Sequence, residues 1–327
     1  MTTHPPASRG RVTALDVAER AGVSRTTVSF VLNDRAAARG ISDLTAQRVR
    51  QAAEALGYQP DRAALMLRSG TSDLVLFAAP AQDQLGPLWF ALVSLLSEGL
   101  EEAGLHLVTR RALAGRPLRE VWRSYSPAAV MGMELGPGDL ADLAAAGTPV
   151  LNMDVATFDA SVAAAQAEHL LARGHRRLGY AFPVSPRLAA YAQRRLAAVE
   201  STCRAAGLAP PVRSDLDLDL ASATAAVRTL REDSGVTAVC AYDDDHAFAV
   251  LAGMAELGLR APDDLAVIGM GGSRLSAVAV PPLTTVSQDV GPSADHLLRQ
   301  LLDVVGGASA QESTVGPSPR VVQRRTT

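Results

Sequence analysis

Four side chains within six positions, Arg25, Thr26, Ser29 and Phe30, are spaced to share one side of a helix and could read the edges of base pairs. A guanidinium fork can bond N7 and O6 of guanine, a threonine methyl can meet the methyl of thymine, and a serine hydroxyl suits either strand. Phe30 can touch a thymine methyl but neither donates nor accepts; its alternative use is packing against the following helix. Thr13, Ser24, Thr27 and Asn33 could hold phosphate oxygens, which set register without reading sequence, or cap helices. For Ser24 both uses stay open. The other chemically capable residues do not assemble. His175, in Gly174-His175-Arg176-Arg177, lies in a turn entering a strand, with no nucleophile or metal ligand at sensible spacing, so a structural role is expected. There is no Walker loop, no GxGxxG after a strand, no HExxH and no GxSxG. Cys203 and Cys240 are the only cysteines, far apart and in apolar surroundings, which suits core filling rather than a disulfide framework or a metal site. The residues thus point away from an enzyme, and no cofactor is expected.

Residues 12–57 supply the elements that would position the reading face. Thr13 caps a first helix with Asp16 as its capping-box partner, and Gly22 stops that helix after Ala21. Ser24 opens a second helix to about Leu32, so two helices meet at a tight glycine-containing turn, a helix-turn-helix. A third runs from Ser42 or Asp43 to about Leu56, with Leu44, Val49, Ala52, Ala53 and Leu56 expected on its apolar face. Pro60 breaks the pattern, and Ala63 to Arg68 is compatible with one short helix inside a linker. From Leu74 strand-like runs alternate with amphipathic helices, and the alternation restarts near Ala160, which predicts two doubly wound lobes with parallel sheets. Such sheets bind ligands at the carboxyl ends of their strands. A late strand-like Val321-Val322-Gln323-Arg324-Arg325 follows a Gly-, Ser- and Pro-rich stretch.

Charge is divided along the chain in the same way. Net charge is −3 over 327 residues, yet the first 68 carry ten arginines against six acids, and the remainder 21 arginines against 28 acids. A basic head on an acidic body is expected where only the head meets phosphate. All 31 basic residues are arginine, which warns against reading too much into any single one. The opening MTTHPPASRGR has no apolar segment, and no later stretch approaches eighteen apolar residues, so the expectation is a cytoplasmic protein with no membrane partner.

The stretch Val12 to Asn33 resembles the opening of lactose-repressor-type (LacI/GalR) transcriptional regulators. Leu56-Gly-Tyr-Gln-Pro60, Gly174-His-Arg-Arg-Leu178, Tyr242-Asp-Asp-Asp-His-Ala247, Val267-Ile-Gly269 and Pro281-Pro-Leu-Thr-Thr-Val286 are similar to later landmarks of that family, in the same order. The resemblance implies an N-terminal all-α helix-turn-helix domain followed by a two-lobed, periplasmic-binding-protein-like α/β body. It also implies a homodimer on pseudo-palindromic, double-stranded operator DNA, controlled by a small-molecule effector of unknown identity. The expected divisions are a free N-terminus over 1–11, the reading domain over 12–60, a hinge over 61–72 and the body over 73–327. Lobe 1 would comprise 73–157 and 286–312, and lobe 2 would comprise 158–285 and 313–327. Carried over residue by residue, Ala64 and Leu67 would enter the minor groove, with Leu67 as the wedge. Phe30 departs from a family position that often holds a guanine-reading arginine, so one operator position should differ. Twelve residues before Gly207, Arg195 takes the place of the family's effector-binding arginine, with Arg194 beside it if the register slips by one. Asp243 and Asp244 stand at a strand's carboxyl end, Asp244 being able instead to cap the next helix. After Gly269 the family's aspartate is missing, since Met270-Gly271-Gly272-Ser273 follows. Thr157-Phe158-Asp159 aligns ambiguously with another acidic position. A pocket short of carboxylates favours an effector less polar than a sugar, or an anionic one.

Two other classes share parts of this pattern. A periplasmic-type solute-binding protein would have the same body but is opposed by the basic helix-turn-helix and the lack of an export signal. An α/β enzyme acting on sugars or nucleotides is opposed by the missing catalytic constellation. A ligand-responsive repressor remains the expectation.

Overall fold

The computed structural model describes residues 12–32, 36–58, 72–79, 87–111, 118–232, 235–308, 311–314 and 319–327. The chain divides into two compact units, Met1–Ser72 and Asp73–Thr327. The expected hinge residues Ala64 and Leu67, and the cap Asn33, lie outside the described residues.

In the first unit, helices α1 (Ala14–Ala21), α2 (Arg25–Leu32) and α3 (Asp43–Leu56) follow the signals in the sequence. Thr13 and Asp16 form a full capping box: the Thr13 hydroxyl accepts from Asp16 N, and Thr13 N donates to Asp16 Oδ2 at 2.7 Å. Those donors hold the Asp16 carboxyl below its ordinary pKa, the Thr13 backbone N–H first among them. Ser42 caps α3 by accepting from Thr45 N. Val17, Val28, Val31 and Val49 are fully buried where the three helices meet, with Ala18, Ala46, Ala52 and Ala53 filling the gaps. Leu44 is a correction. It was expected on the apolar face of α3 but is 71% exposed, because the buried stripe starts at Ala46 and repeats through Val49, Ala52 and Ala53.

The second unit contains two sheets. The first has the order β10-β4-β3-β1-β2, from β1 (Leu74–Ala79), β2 (His106–Arg111), β3 (Ala129–Met133), β4 (Val150–Asp154) and β10 (Gln311–Thr314), all parallel. The second has the order β11-β9-β8-β7-β5-β6, from β5 (Leu178–Pro183), β6 (Val212–Leu216), β7 (Ala238–Ala241), β8 (Ala266–Met270), β9 (Thr284–Ser287) and β11 (Arg320–Val322). Only β11 runs antiparallel. Helices α4 (Pro87–Glu102), α5 (Leu118–Tyr125), α6 (Pro137–Ala145), α7 (Val155–Ala172), α8 (Ala189–Ala205), α9 (Leu220–Glu232), α10 (Asp244–Glu256), α11 (Leu275–Val278) and α12 (Val290–Val305) connect them. Both faces of each sheet are covered, so the strands read as nearly continuous apolar runs. Within β1, Val75 and Phe77 join one core while Leu76 and Ala78 join another with Trp122 and Leu143, which is the period of two expected of a strand.

The chain passes between the sheets three times, after β4, after β9 and between β10 and β11. These crossings fall slightly off the expected divisions. Strand β9 stays in the second sheet through Ser287 rather than 285, and β10 stays in the first through Thr314 rather than 312. The tail is held in the second sheet by hydrogen bonds. The Thr326 hydroxyl donates to Val267 O at 2.7 Å and accepts from Thr284 N at 2.9 Å, and Arg324 Nη1 donates to Leu283 O at 2.6 Å.

Gly253 lets α10 pack directly against α9. A Cβ there would lie 2.6 Å from the backbone carbon and oxygen of Ala223 in α9. Gly253→Ala should therefore lower the stability of the second unit by about 1–3 kcal/mol, since backbone rather than a flexible side chain must move. The urea midpoint measures this, and an unchanged midpoint would show that the two helices separate freely.

Candidate functional site

On α2 the side chains separate by burial. Val28 and Val31 anchor the helix, while Arg25 and Thr26 are exposed and Thr27, Ser29 and Phe30 are half-buried. The Ser24 hydroxyl accepts from Thr27 N at 3.1 Å and pairs with Thr27 Oγ1 at 2.9 Å, so both hydroxyls are engaged at the helix start. The packing partner of Phe30 was not legible from the sequence. The Arg39 guanidinium, in the 3₁₀ turn Ala37–Arg39 before α3, lies 4.9 Å from the centre of the Phe30 ring.

At the carboxyl end of the second sheet the expected effector residues take unequal roles. Arg195 is 7% exposed, and its guanidinium is used up within the protein. Nε donates to Asp159 Oδ1 at 2.8 Å, Nη2 lies 2.8 Å from the same oxygen, and Nη1 donates to Tyr242 O at 2.8 Å. The guanidinium also lies 4.4 Å from the centre of the Tyr242 ring, and Nη1 lies 3.8 Å from Met270 Sδ, where a carboxylate was missed in the sequence. Burial works against the charge on Arg195, but the Tyr242 and Asp159 contacts outweigh it and hold the pKa above the ordinary arginine value.

Asp159, the ambiguous acid of the sequence, is the centre of this cluster and is fully buried. Its Oδ2 accepts from Arg194 Nη2 at 3.1 Å, and the same Nη2 lies 3.1 Å from Glu134 Oε2. Glu134 follows β3 in a left-handed backbone conformation, φ 53°, so this ion pair joins the end of the first sheet to α8. Glu134 gave no signal in the sequence, because its partner lies sixty residues away, beyond α6, β4, α7 and β5.

Asp243 and Asp244 divide differently from the expectation that Asp244 might be the cap. Asp243 caps α10, accepting from His246 N at 2.9 Å and binding His246 Nδ1 at 2.6 Å. Burial pushes its carboxyl up, but the His246 hydrogen bonds outweigh this and leave it below the ordinary value. Asp244 is 3% exposed and clamps two other segments, with Oδ1 accepting from Thr285 Oγ1 and Oδ2 accepting from Ser273 N at 2.7 Å. Its pKa is raised, by burial first, with the Thr285 and Ser273 bonds opposing. Gly269 is required here, because a Cβ would come within 2.3 Å of Asp244 Oδ1. Gln166, also silent in the sequence, reaches from α7 to donate to Ala241 O at 2.8 Å and Gly269 O at 3.0 Å, joining the ends of β7 and β8. His175 pairs through Nδ1 with Thr237 Oγ1 at 2.9 Å, away from these groups.

Asp159→Asn should be among the most damaging single changes in the body. It leaves Arg195 without its carboxylate and Arg194 with Glu134 alone, and removing one partner of a buried ion pair costs about 3–5 kcal/mol. Thermal unfolding beside the exposed control Asp217→Asn measures it, and equal shifts for the two variants would show that the cluster adds nothing.

The model for bacterial regulatory proteins of the lacI family matches residues 13–61, and that for a periplasmic binding protein-like domain matches residues 167–327. The HTH-type transcriptional regulator MalR of Streptomyces coelicolor is 28% identical over 341 residues, covering 95% of each chain. The lactose operon repressor of Escherichia coli is 28% identical over 341 residues, covering 97% of this chain and 91% of its own. Among solved structures, a lac repressor dimer bound to operator and the anti-inducer ONPF is similar with a TM-score of 0.80 and 24% identity, covering 97% of this chain and 99% of that one. The transcriptional regulator CelR in complex with cellobiose gives 0.63 and 24%, covering 97% and 100%. One family model falls on the helix-turn-helix and the other on the later part of the two-sheet body, while the relatives span both units: along its whole length the chain is similar to regulators of the lacI family, whose helix-turn-helix model its residues 13–61 match.

Proposed function

We propose that the protein is a transcriptional repressor that binds a pseudo-palindromic operator as a homodimer and adjusts its grip when a small molecule binds the body. The observation that carries this reading is the first unit itself, where α2 is anchored by Val28 and Val31 and presents Arg25 and Thr26 to solvent at its first turn. An α-helix of that kind fits the major groove, with its N-terminal residues at base edges. Arg25, Thr26, Ser29 and Phe30 read bases, while Thr13, Ser24, Thr27 and Asn33 meet phosphate or cap. Arg39 adds a cation beside Phe30. Ala64 and Leu67 would enter the minor groove at the operator centre. No residue in this reading carries out catalysis, and its place of action is the chromosome in the cytoplasm.

The body supplies the responsive part. Solved relatives named with cellobiose or ONPF support a bound small molecule, as does the concentration of charged groups at the strands' carboxyl ends. Within that cluster Arg195 and Asp244 hold the architecture, and the Glu134–Arg194 pair is a contact from the end of the first sheet to α8 that a change of lobe orientation would disturb.

Gel shifts with DNA from upstream of the protein's own gene test the reading. Binding should be specific and should weaken linearly in log–log terms as salt rises, through counterion release. Absence of a specific complex at low salt would refute operator binding. On a panel of single-base operator variants, Arg25→Ala should lose about 1–3 kcal/mol of discrimination at one base pair. Uniform weakening across the panel would reassign Arg25 to phosphate.

A further inference from the structure

A cavity of about 170 Å³ opens at the carboxyl ends of β5 and β6, and one group on its wall has no role in the cluster around Asp159. That group is the His246 imidazole. Its side chain is 3% exposed, yet it lines the cavity beside Leu188, Leu216 and Leu218, with Arg187 and Asp217 also lining it. Asp243 fixes the ring from behind through the 2.6 Å bond to Nδ1, and the edge-on Tyr242 ring, 5.5 Å away at 81°, limits its rotation. A carboxylate oxygen accepts, so the short Asp243 contact places a ring proton on Nδ1. Among the described residues only Nδ1 of the ring is bonded within the protein, so with that proton on Nδ1 the second nitrogen, Nε2, is left to a ligand as an acceptor.

We propose that His246 Nε2 is the recognition point for the effector in this chain, and that the effector places there a hydroxyl carried on an uncharged six-membered ring. The proposal rests on the body being an effector-binding domain and names the ligand class of that site. Three observations define the class. The volume matches one ring, since a cavity of about 150 Å³ accommodates benzene. Leu188, Leu216 and Leu218 provide apolar walls for the flat or chair-like faces of such a ring. Charge argues against an anion: the single Arg187 is matched by Asp217 at the cavity, and the Asp243 carboxylate stands directly behind the imidazole. Asp243 is accordingly a positioning residue, which acts through His246 rather than on the ligand.

The test uses the full-length chain with phenol, toluene and benzoate as probes, titrated by ligand-observed NMR. Phenol should bind, with toluene and benzoate at least about tenfold weaker, a difference of about 1.4 kcal/mol. His246→Phe should weaken phenol by about tenfold or more, while His246→Gln, which keeps an acceptor on a side chain of similar length, should restore most of the affinity. Thermal unfolding and the gel shift confirm that each variant is folded and still binds DNA. Equal binding of phenol and toluene, equal phenol binding by wild type and His246→Phe, or no binding of any probe would each overturn the proposal. Loss of the wild-type gel shift is a separate result, which would refute the regulatory reading rather than the role of His246.

Discussion

A carboxylate that never meets water organises the carboxyl edge of the second sheet. Asp159 is buried against two guanidinium groups, and such a cluster is stable only when every charge is matched and the remaining donors find partners. Arg195 meets this condition through Tyr242 O and the Tyr242 ring. Arg194 meets it in part: Nη2 reaches both Asp159 and, beyond the end of the first sheet, Glu134, while its buried Nε has no partner among the described residues. One charge requirement therefore fixes the orientation of α8 against α7, the position of the β7–α10 junction and the contact between the sheets. Hydrophobic packing alone is non-directional and could not specify all three.

The same accounting of polar groups explains why two adjacent aspartates have unlike fates. Asp243 faces the start of α10, where orphan backbone N–H groups need an acceptor, and so becomes the cap and holds His246. Asp244, one residue on, points to the other side of the helix start and ties Ser273 N and Thr285 Oγ1 together. The Gly271-Gly272 turn after β8 is thus held by a side chain from another element, and the missing family aspartate leaves no gap in the protein's own hydrogen bonding.

Local signals in the sequence were readable because they act over three or four residues. The Thr13–Asp16 capping box, the Gly22 stop and the Ser42 start were legible, as were the apolar runs that became β1, β3, β5, β7 and β8. Strand β6 was not, since Val-Arg-Ser-Asp-Leu is an edge strand whose outward residues are charged and break the apolar run. Leu44 misled because one large apolar side chain suggests a helix face, whereas the buried stripe is made mostly of alanines. Arg195 was found by register, yet its burial was invisible because its partner Asp159 lies thirty-six residues earlier. Glu134, Gln166 and the Arg39–Phe30 contact were missed for the same reason: each depends on a pairing between elements that no local pattern encodes.

The three passages of the chain between the two sheets bear on inheritance. Neither sheet is made from one continuous segment, because β10 returns to the first and β11 to the second after β9 has closed. A recombination event with a single breakpoint between β5 and β10 would thus divide both sheets at once, and one anywhere else between β1 and β11 would divide one of them. The first unit, by contrast, is one uninterrupted segment ending near Ser72. A gene encoding this architecture can acquire a new DNA-reading head in one exchange, while the ligand-responsive body must be passed on whole and diversify residue by residue.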